Sequence, residues 1–274
     1  MIDRKSKLLR LREIIAEMES AVVAFSGGVD SSFLQAVTHN ILGSRAHAVT
    51  ARSETYPTAD LVFVQQLVDE LGFSHRYVDT AELQNEDFTS NPPNRCYYCK
   101  DALYGHLNEI ARGVGSEWVL DGTNVDDLAD YRPGREAGKK HGIRSPLVEA
   151  GLTKAEIRTF SRELDLPTWD KPAAPCLASR FPYGTEVNAD RLRQVRRAEE
   201  FLSGLGLTGH RVRHHGDAAR IETTQDDIKI MVSAHVRTAV VSKLKQLGYN
   251  YVALDLEGYR TGSLNEVLRD LEGS

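Results

Sequence analysis

An α/β fold, with a parallel sheet flanked by helices and then a small C-terminal α+β domain, is predicted by three features of this 274-residue sequence. Apolar, β-branched runs alternate with amphipathic segments through the first half of the chain. A Ser-Gly-Gly step closes the first of those runs just where a helix begins. Beyond a proline-bracketed stretch at 166–187, the rhythm changes to helix, two neighbouring strands, helix and strand.

Residues 4–19 place Leu8, Leu11, Ile14, Ile15 and Met18 on one stripe, which predicts a helix packed beside the first strand. Strands are expected at 21–25, 46–51, 74–79 and 117–121, with helices near 31–41, 58–72 and 100–112 between them. Such alternation buries both faces of a parallel sheet and gathers ligands at the carboxyl ends of its strands. A helix at 153–164 follows Arg144-Ser145-Pro146-Leu147. Pro167, Pro172, Pro175, Pro182 and Gly184 exclude a helix or central strand through 166–187. The centre of that stretch, Ala174 to Gly184, is too mixed in polarity and too aromatic for a flexible spacer. A helix at 188–204, strands at 211–215 and 218–222, a helix at 225–246 and a strand at 251–256 complete the chain. Domains are therefore drawn at 1–187 and 188–274.

Hydrophobic content of 41% and charged content of 27% are ordinary for a soluble chain that buries a full core. There is no apolar run of membrane-spanning length and no apolar leader after Met1-Ile2-Asp3-Arg4-Lys5, so a cytoplasmic, non-membrane protein is expected. A net charge of −5 argues against a broad nucleic-acid surface.

The segment from Ala21 to Ser32 reads as buried strand, tight loop and helix start. N–H groups at a helix N-terminus carry the positive end of the dipole, and glycines let an anion approach them. Ser26, Ser31 and Ser32 add hydroxyls, and Asp30 a carboxylate for hydrated Mg²⁺. A double glycine alone would be only a hinge, and Asp30-Ser31 only a helix cap. The full string S-G-G-V-D-S-S, distinct from both G-x-x-x-x-G-K-[ST] and G-x-G-x-x-G, resembles the PP-loop of the adenine-nucleotide α-hydrolases. That resemblance implies cleavage of ATP between its α- and β-phosphates and an adenylated substrate. It also implies ATP-binding roles for Ser26, Gly27, Gly28, Asp30, Ser31 and Ser32. Ser53-Glu54 after the second strand and D-G-T-N-V-D-D at 121–127 are ordinary loop sequences alone. Beside the first motif they resemble segments that close over the nucleotide, which adds Ser53 and Gly122.

Three cysteines in a reducing compartment are too few for a disulfide framework. Cys96-Tyr97-Tyr98-Cys99 lies just after Pro92-Pro93 and immediately ahead of a helix, while Cys176 lies in the proline-bracketed loop. A structural zinc needs four ligands. From spacing alone, an iron–sulfur ligand set, a dithiol redox pair and small buried hydrophobes stand level.

The PP-loop string, D-Y-R-P-G-R at 130–135, the Cys176 loop ending S-R-F-P-Y-G-T, and R-V-R-x-H with A-R-I-E together resemble the LarE family of ATP-dependent sulfur transferases. The likeness covers nearly the whole chain. It implies adenylation of a carboxylate of a pyridinium biscarboxylate mononucleotide, then conversion to a thiocarboxylate in nickel-pincer nucleotide synthesis. The presence of Cys96 and Cys99 beside Cys176 resembles the three-cysteine branch, which implies a [4Fe–4S] cluster carrying sulfide from a separate donor. Relatives with Cys176 alone sacrifice its sulfur instead. Arg180, Arg211 and Arg213 are then expected on the anionic substrate, since a guanidinium fork suits phosphate or carboxylate and residues 211 and 213 share a strand face. Glu199 and Glu222 match acidic positions that would hold a cation. A homo-oligomer is the expected state. tRNA thiolation is the competing enzyme reading, disfavoured by the acidic charge and the lack of an added RNA-binding module.

Overall fold

The computed structural model describes residues 4–128, 133–172, 175–260 and 262–266. Asp130, Tyr131 and Arg132 of the D-Y-R-P-G-R segment therefore lie outside the described residues, as do 173–174 in the Cys176 loop. The chain divides into two compact units, Met1–Phe88 with Pro93–Ala174, and Thr89–Pro92 with Pro175–Ser274.

The first unit runs α1 (Arg4–Ala16), β1 (Ala21–Ala24), α2 (Val29–Leu42), β2 (Ala46–Arg52), α3 (Thr58–Leu71) and β3 (Ser74–Asp79). A short α4 (Glu86–Thr89) precedes α5 (Arg95–Gly113), β4 (Val119–Leu120), α6 (Gly134–Lys140), α7 (Pro146–Glu149) and α8 (Lys154–Glu163). Its four strands are all parallel, in the order β3-β2-β1-β4. Side chains alternate across a strand, so Val22 and Val23 of β1 serve opposite faces, and both are fully buried. Val23 joins Leu11, Ile15, Phe33, Leu34 and Phe160 on the α1/α2/α8 side, and Val22 joins Leu103, Tyr104, Leu107 and Val119 on the α5 side. Burial on both faces is why β1 and β4 read as continuous apolar runs, whereas the edge strand β3, with no fully buried residue, reads as mixed.

Two expected elements shift. The fourth strand shortens to Val119–Leu120, and Arg144 extends its ladder: Asp121 N donates to Arg144 O at 3.0 Å and Arg144 N to Val119 O at 2.9 Å. Helix α5 begins at Arg95, with its first turn closed by Tyr97 N donating to Asn94 O at 2.8 Å, so Cys96 and Cys99 lie inside the helix and not ahead of it.

The second unit holds α9 (Ala189–Gly204), β5 (Arg211–His215), β6 (Ala218–Glu222), α10 (Gln225–Met231), α11 (Ala234–Gln246) and β7 (Tyr251–Leu254). Its sheet is ordered β5-β6-β7, antiparallel between β5 and β6 and parallel between β6 and β7. Leu202, Val212, Ile221, Val240, Leu244 and Tyr249 form its core. The long helix expected at 225–246 breaks at Val232-Ser233, where the Ser233 hydroxyl donates to Ile230 O at 2.7 Å and ends α10. The boundary drawn at 187 also moves: residues 175–187 belong to this unit, pinned by Val187 N on Thr89 O (2.8 Å), Gly184 N on Asn91 O (2.9 Å) and Asn91 Nδ2 on Pro182 O (2.7 Å). Among the described residues no helix is long and apolar enough to cross a membrane.

Candidate functional site

The loop from Phe25 to Gly28 turns β1 into α2 under tight steric control. Gly27 sits at φ +67°, and a Cβ there would lie 2.7 Å from Val64 Cγ2 on α3, so both backbone and space require glycine. Gly28 caps α2 in extended conformation without a side-chain cap bond, the kind of helix start that offers its first-turn N–H groups to an anion. Ser31 knits the loop: its hydroxyl donates to Gly28 O at 3.2 Å and accepts from Ser26 N at 3.2 Å. On the far side Gly122, just after β4, passes so close that a Cβ would lie 2.9 Å from Ser31 N.

These elements enclose a cavity of about 230 Å³ at the carboxyl ends of β1, β2 and β4. Phe25, Val49, Ala51, Tyr56 and Leu103 give it an apolar side. Ser26, Gly28, Asp30, Ser31, Thr123 and Asp127 give it a polar one. An adenine ring and a phosphate chain need that pairing of surfaces. Of the residues expected on the nucleotide, Ser26, Gly28, Asp30, Ser31 and Gly122 line this cavity, whereas Ser32 is fully buried away from it and Ser53 bonds Thr55 (2.8 Å) instead.

Asp121 organises the cavity wall. Its carboxylate accepts from the hydroxyls of Ser145 (2.7 Å), Thr123 (2.8 Å) and Tyr104 (3.0 Å), and from Thr123 N (3.2 Å). Burial pushes the Tyr104 phenol up to about 12, so it stays a donor. Lys100 lines the cavity and its ammonium lies 5.1 Å over the Tyr104 ring. Attraction to Tyr104, and then to Asp121, holds the Lys100 pKa well above its ordinary value and keeps it charged. Lys154, at the start of α8, places its ammonium 2.5 Å from Asp30 Oδ2. Sequence reasoning singled out neither lysine. A stray lysine carries no periodic or motif signal, although Lys100 directly follows Cys99.

Cys96 and Cys99, three apart on the first turn of α5, are brought to one side of the helix. Cys99 Sγ donates to Glu82 Oε1 at 3.5 Å, and that buried carboxylate also accepts from the Thr80 hydroxyl at 2.9 Å. Cys176 lies in the second unit, capping a 3-10 turn at Leu177–Arg180. No disulfide joins the three. Among the described residues, no three His, Cys, Asp or Glu side chains gather as ligands of a metal ion.

The arginines expected on the substrate are engaged inside the second unit. Arg180, 2% exposed, forks onto both oxygens of Glu199 (2.9 and 3.0 Å) and donates to the carbonyls of Pro175 (2.8 Å) and Cys176 (3.2 Å). It thereby shapes the turn that carries Cys176. Arg213 bonds Glu222 (2.6 Å), Ser179 O (2.9 Å) and Ser263 (3.1 Å). Arg211 donates to His210 O at 2.6 Å with its guanidinium 5.0 Å over the Tyr259 ring. Burial, and then the neighbouring Arg180, lower the Arg211 pKa. Glu199 and Glu222, expected to hold a cation, are instead the counter-ions of these arginines: Glu199 also accepts Val212 N (2.9 Å) and Glu222 also takes Arg220 (3.0 Å).

The asparagine synthase family pattern matches residues 16–110, the span that contains the glycine loop. Over 264 residues the chain is 38% identical to the pyridinium-3,5-bisthiocarboxylic acid mononucleotide synthase of Lactiplantibacillus plantarum, covering 96% of this chain and 95% of that one. It is 44% identical over 264 residues to an uncharacterized protein of Synechocystis, with 96% and 98% covered. A glutamine-hydrolyzing GMP synthase of Aeropyrum pernix is 29% identical over 211 residues, which is 69% of this chain and 41% of that enzyme.

Proposed function

The chain belongs to the LarE family of ATP-dependent sulfurtransferases, and on that premise we propose that it adenylates a carboxylate of a pyridinium biscarboxylate mononucleotide and converts it to a thiocarboxylate. The observation that carries this reading is the cavity at the strand ends, with an uncapped helix start and Asp30 on one side and an apolar slot on the other. A carboxylate is a poor electrophile. Attack of its oxygen on the α-phosphorus of ATP expels pyrophosphate and leaves an acyl-adenylate, from which a sulfur nucleophile then displaces AMP at the carbonyl carbon. The chain's part is to hold the phosphates on the N–H groups of the glycine loop, to set the Lys100 ammonium beside the developing charge, and to keep water from the adenylate.

Asp30 and Asp127 both line the cavity and offer the oxygen donors that Mg²⁺ takes. For the sulfur, the thiols of Cys96, Cys99 and Cys176, none of them in a disulfide, would hold a [4Fe–4S] cluster with one iron free of protein ligand, a reading supported by the three-cysteine composition and not by a gathered ligand set. Such a cluster, when bound, supplies sulfide. Arg211 is the arginine proposed for the anionic substrate. Arg180 and Arg213 shape the segment around Cys176.

The test is pyrophosphate release by the full chain with ATP and Mg²⁺. A pyridinium carboxylate stimulates it and tRNA does not. Stimulation by tRNA alone would overturn the reading in favour of tRNA thiolation.

A further inference from the structure

One peptide of the glycine loop is held from behind by a lysine far along the chain. Lys171 Nζ donates to Gly27 O at 3.3 Å, lies 3.4 Å from Asp60 Oδ1 and sits 4.0 Å over the Phe63 ring. Asp60 and Phe63 belong to α3. The backbone around Lys171 is itself fixed by Arg158 of α8, which donates to Trp169 O (2.8 Å) and Lys171 O (3.0 Å). Lys171, Asp60 and Phe63 are not among the residues that line the nucleotide cavity, whereas Ser26 and Gly28 are. The lysine therefore grips the loop on its outer side.

A trans peptide points its C=O and N–H in opposite directions, and no described peptide is cis. Gly27 C=O and Gly28 N–H belong to one such peptide. Fixing the carbonyl on Lys171 thus aims the Gly28 N–H to the other side, where it reaches Ser26 Oγ at 3.4 Å. That bond is long and weak, so an anionic oxygen displaces it readily. Without a brace, a Gly-Gly peptide rotates at little steric cost, because neither residue has a Cβ to oppose it.

We propose that Lys171 is a positioning residue for adenylation: by holding the Gly27 carbonyl outward, it keeps the Gly28 N–H preset as a phosphate donor. This rests on the ATP-dependent reading above and assigns the residue that readies its anion site. A donor that is already oriented costs no reorganisation when charge develops.

Lys171→Met keeps the aliphatic stem on Phe63 and removes the donors, and Lys171→Leu, also without a donor, serves if the Met variant does not fold. Expected is a fall of about 10-fold or more in kcat for pyrophosphate release, at an unchanged unfolding midpoint, with most of it recovered in Lys171→Arg. In the ¹⁵N-labelled full chain, inorganic pyrophosphate should shift the Gly28 amide resonance downfield in the parent and not in Lys171→Met. Asp60→Ala, which leaves the Gly27 bond in place, should keep the parent kcat. A Lys171→Met protein with parental kcat and Gly28 shift would overturn the proposal. So would an Asp60→Ala protein as impaired as Lys171→Met, since Lys171 would then serve only as a counter-ion. Failure of the ATP-dependent reading looks different: the unsubstituted chain would release no pyrophosphate with any carboxylate.

Discussion

Lys154 Nζ and Asp30 Oδ2 lie 2.5 Å apart across 124 residues of sequence, so the carboxylate facing the nucleotide cavity is held by an ammonium from the start of α8. The pair is partly solvated, with side chains 36% and 22% exposed, and pairs of that kind contribute only about 0–1 kcal/mol to stability. Its value lies in aiming Asp30, a group whose loss should be felt in chemistry and hardly at all in folding.

Asp30→Ala is therefore expected to lower pyrophosphate release by about 100-fold or more, with an unfolding midpoint close to the parent. Stopped-assay pyrophosphate detection and thermal unfolding, read on one preparation, check both halves. Normal turnover would remove Asp30 from the nucleotide chemistry.

Arg211 and Arg213 share a strand, yet their substitution should produce opposite signatures. Arg213→Ala leaves the Glu222 carboxylate, 1% exposed, with Arg220 still beside it at 3.0 Å, so the unfolding midpoint should fall, by less than the cost of an unpaired buried charge, about 3–5 kcal/mol. Arg211→Ala should leave the midpoint nearly unchanged, weaken the pyridinium substrate and spare ATP affinity. Equal loss of ATP affinity in Arg211→Ala would place Arg211 outside the substrate site.

His214 makes the fold acid-sensitive. Packed 5.1 Å from Phe181 and 3.2 Å from the Tyr249 hydroxyl, it is pushed down to about 4, mainly by burial and then by Arg191. A depressed folded value means that the unfolded chain takes up the proton first. The stabilisation is complete above the unfolded pKa of 6.5 and is lost as pH falls toward 4. Urea midpoints at stepped pH should fall between pH 6.5 and 4, and His214→Gln should flatten that decline. An equally steep decline in the variant would assign the acid sensitivity to other groups.

Strands β1 and β4 were legible because burial on both faces writes them as apolar runs, as Val22 and Val23 show. The glycine loop was legible because glycine is the residue that its φ of +67° and the Val64 contact demand. The start of α5 was hidden: Asn94 makes no side-chain cap bond, and prolines stand just upstream. The break at Ser233 was hidden because apolar periodicity continues across it. Lys154 and Lys171 reach the loop from 124 and 144 residues away, a relation that no local pattern carries. The arginines were legible as a cluster, but not as a cluster already matched by Glu199 and Glu222.

The cysteines carry the most demanding prediction, because two sit on α5 in the first unit and the third in the second. Cys96 and Cys99 share a helix turn, and Cys176 is set by a turn whose carbonyls Arg180 grips. If all three serve one cluster, anaerobically prepared protein should carry about four irons per chain. Replacing any one of them with Ala should then remove the iron and multiple turnover together. Adenylation should survive in every variant, since Asp30 and the glycine loop are untouched, so pyrophosphate release serves as the internal control. Full sulfur transfer in Cys96→Ala and Cys99→Ala, with Cys176→Ala alone inactive, would sink the cluster reading. Loss of one H₂S of mass at Cys176 after a single turnover would then identify its own sulfur as the one transferred.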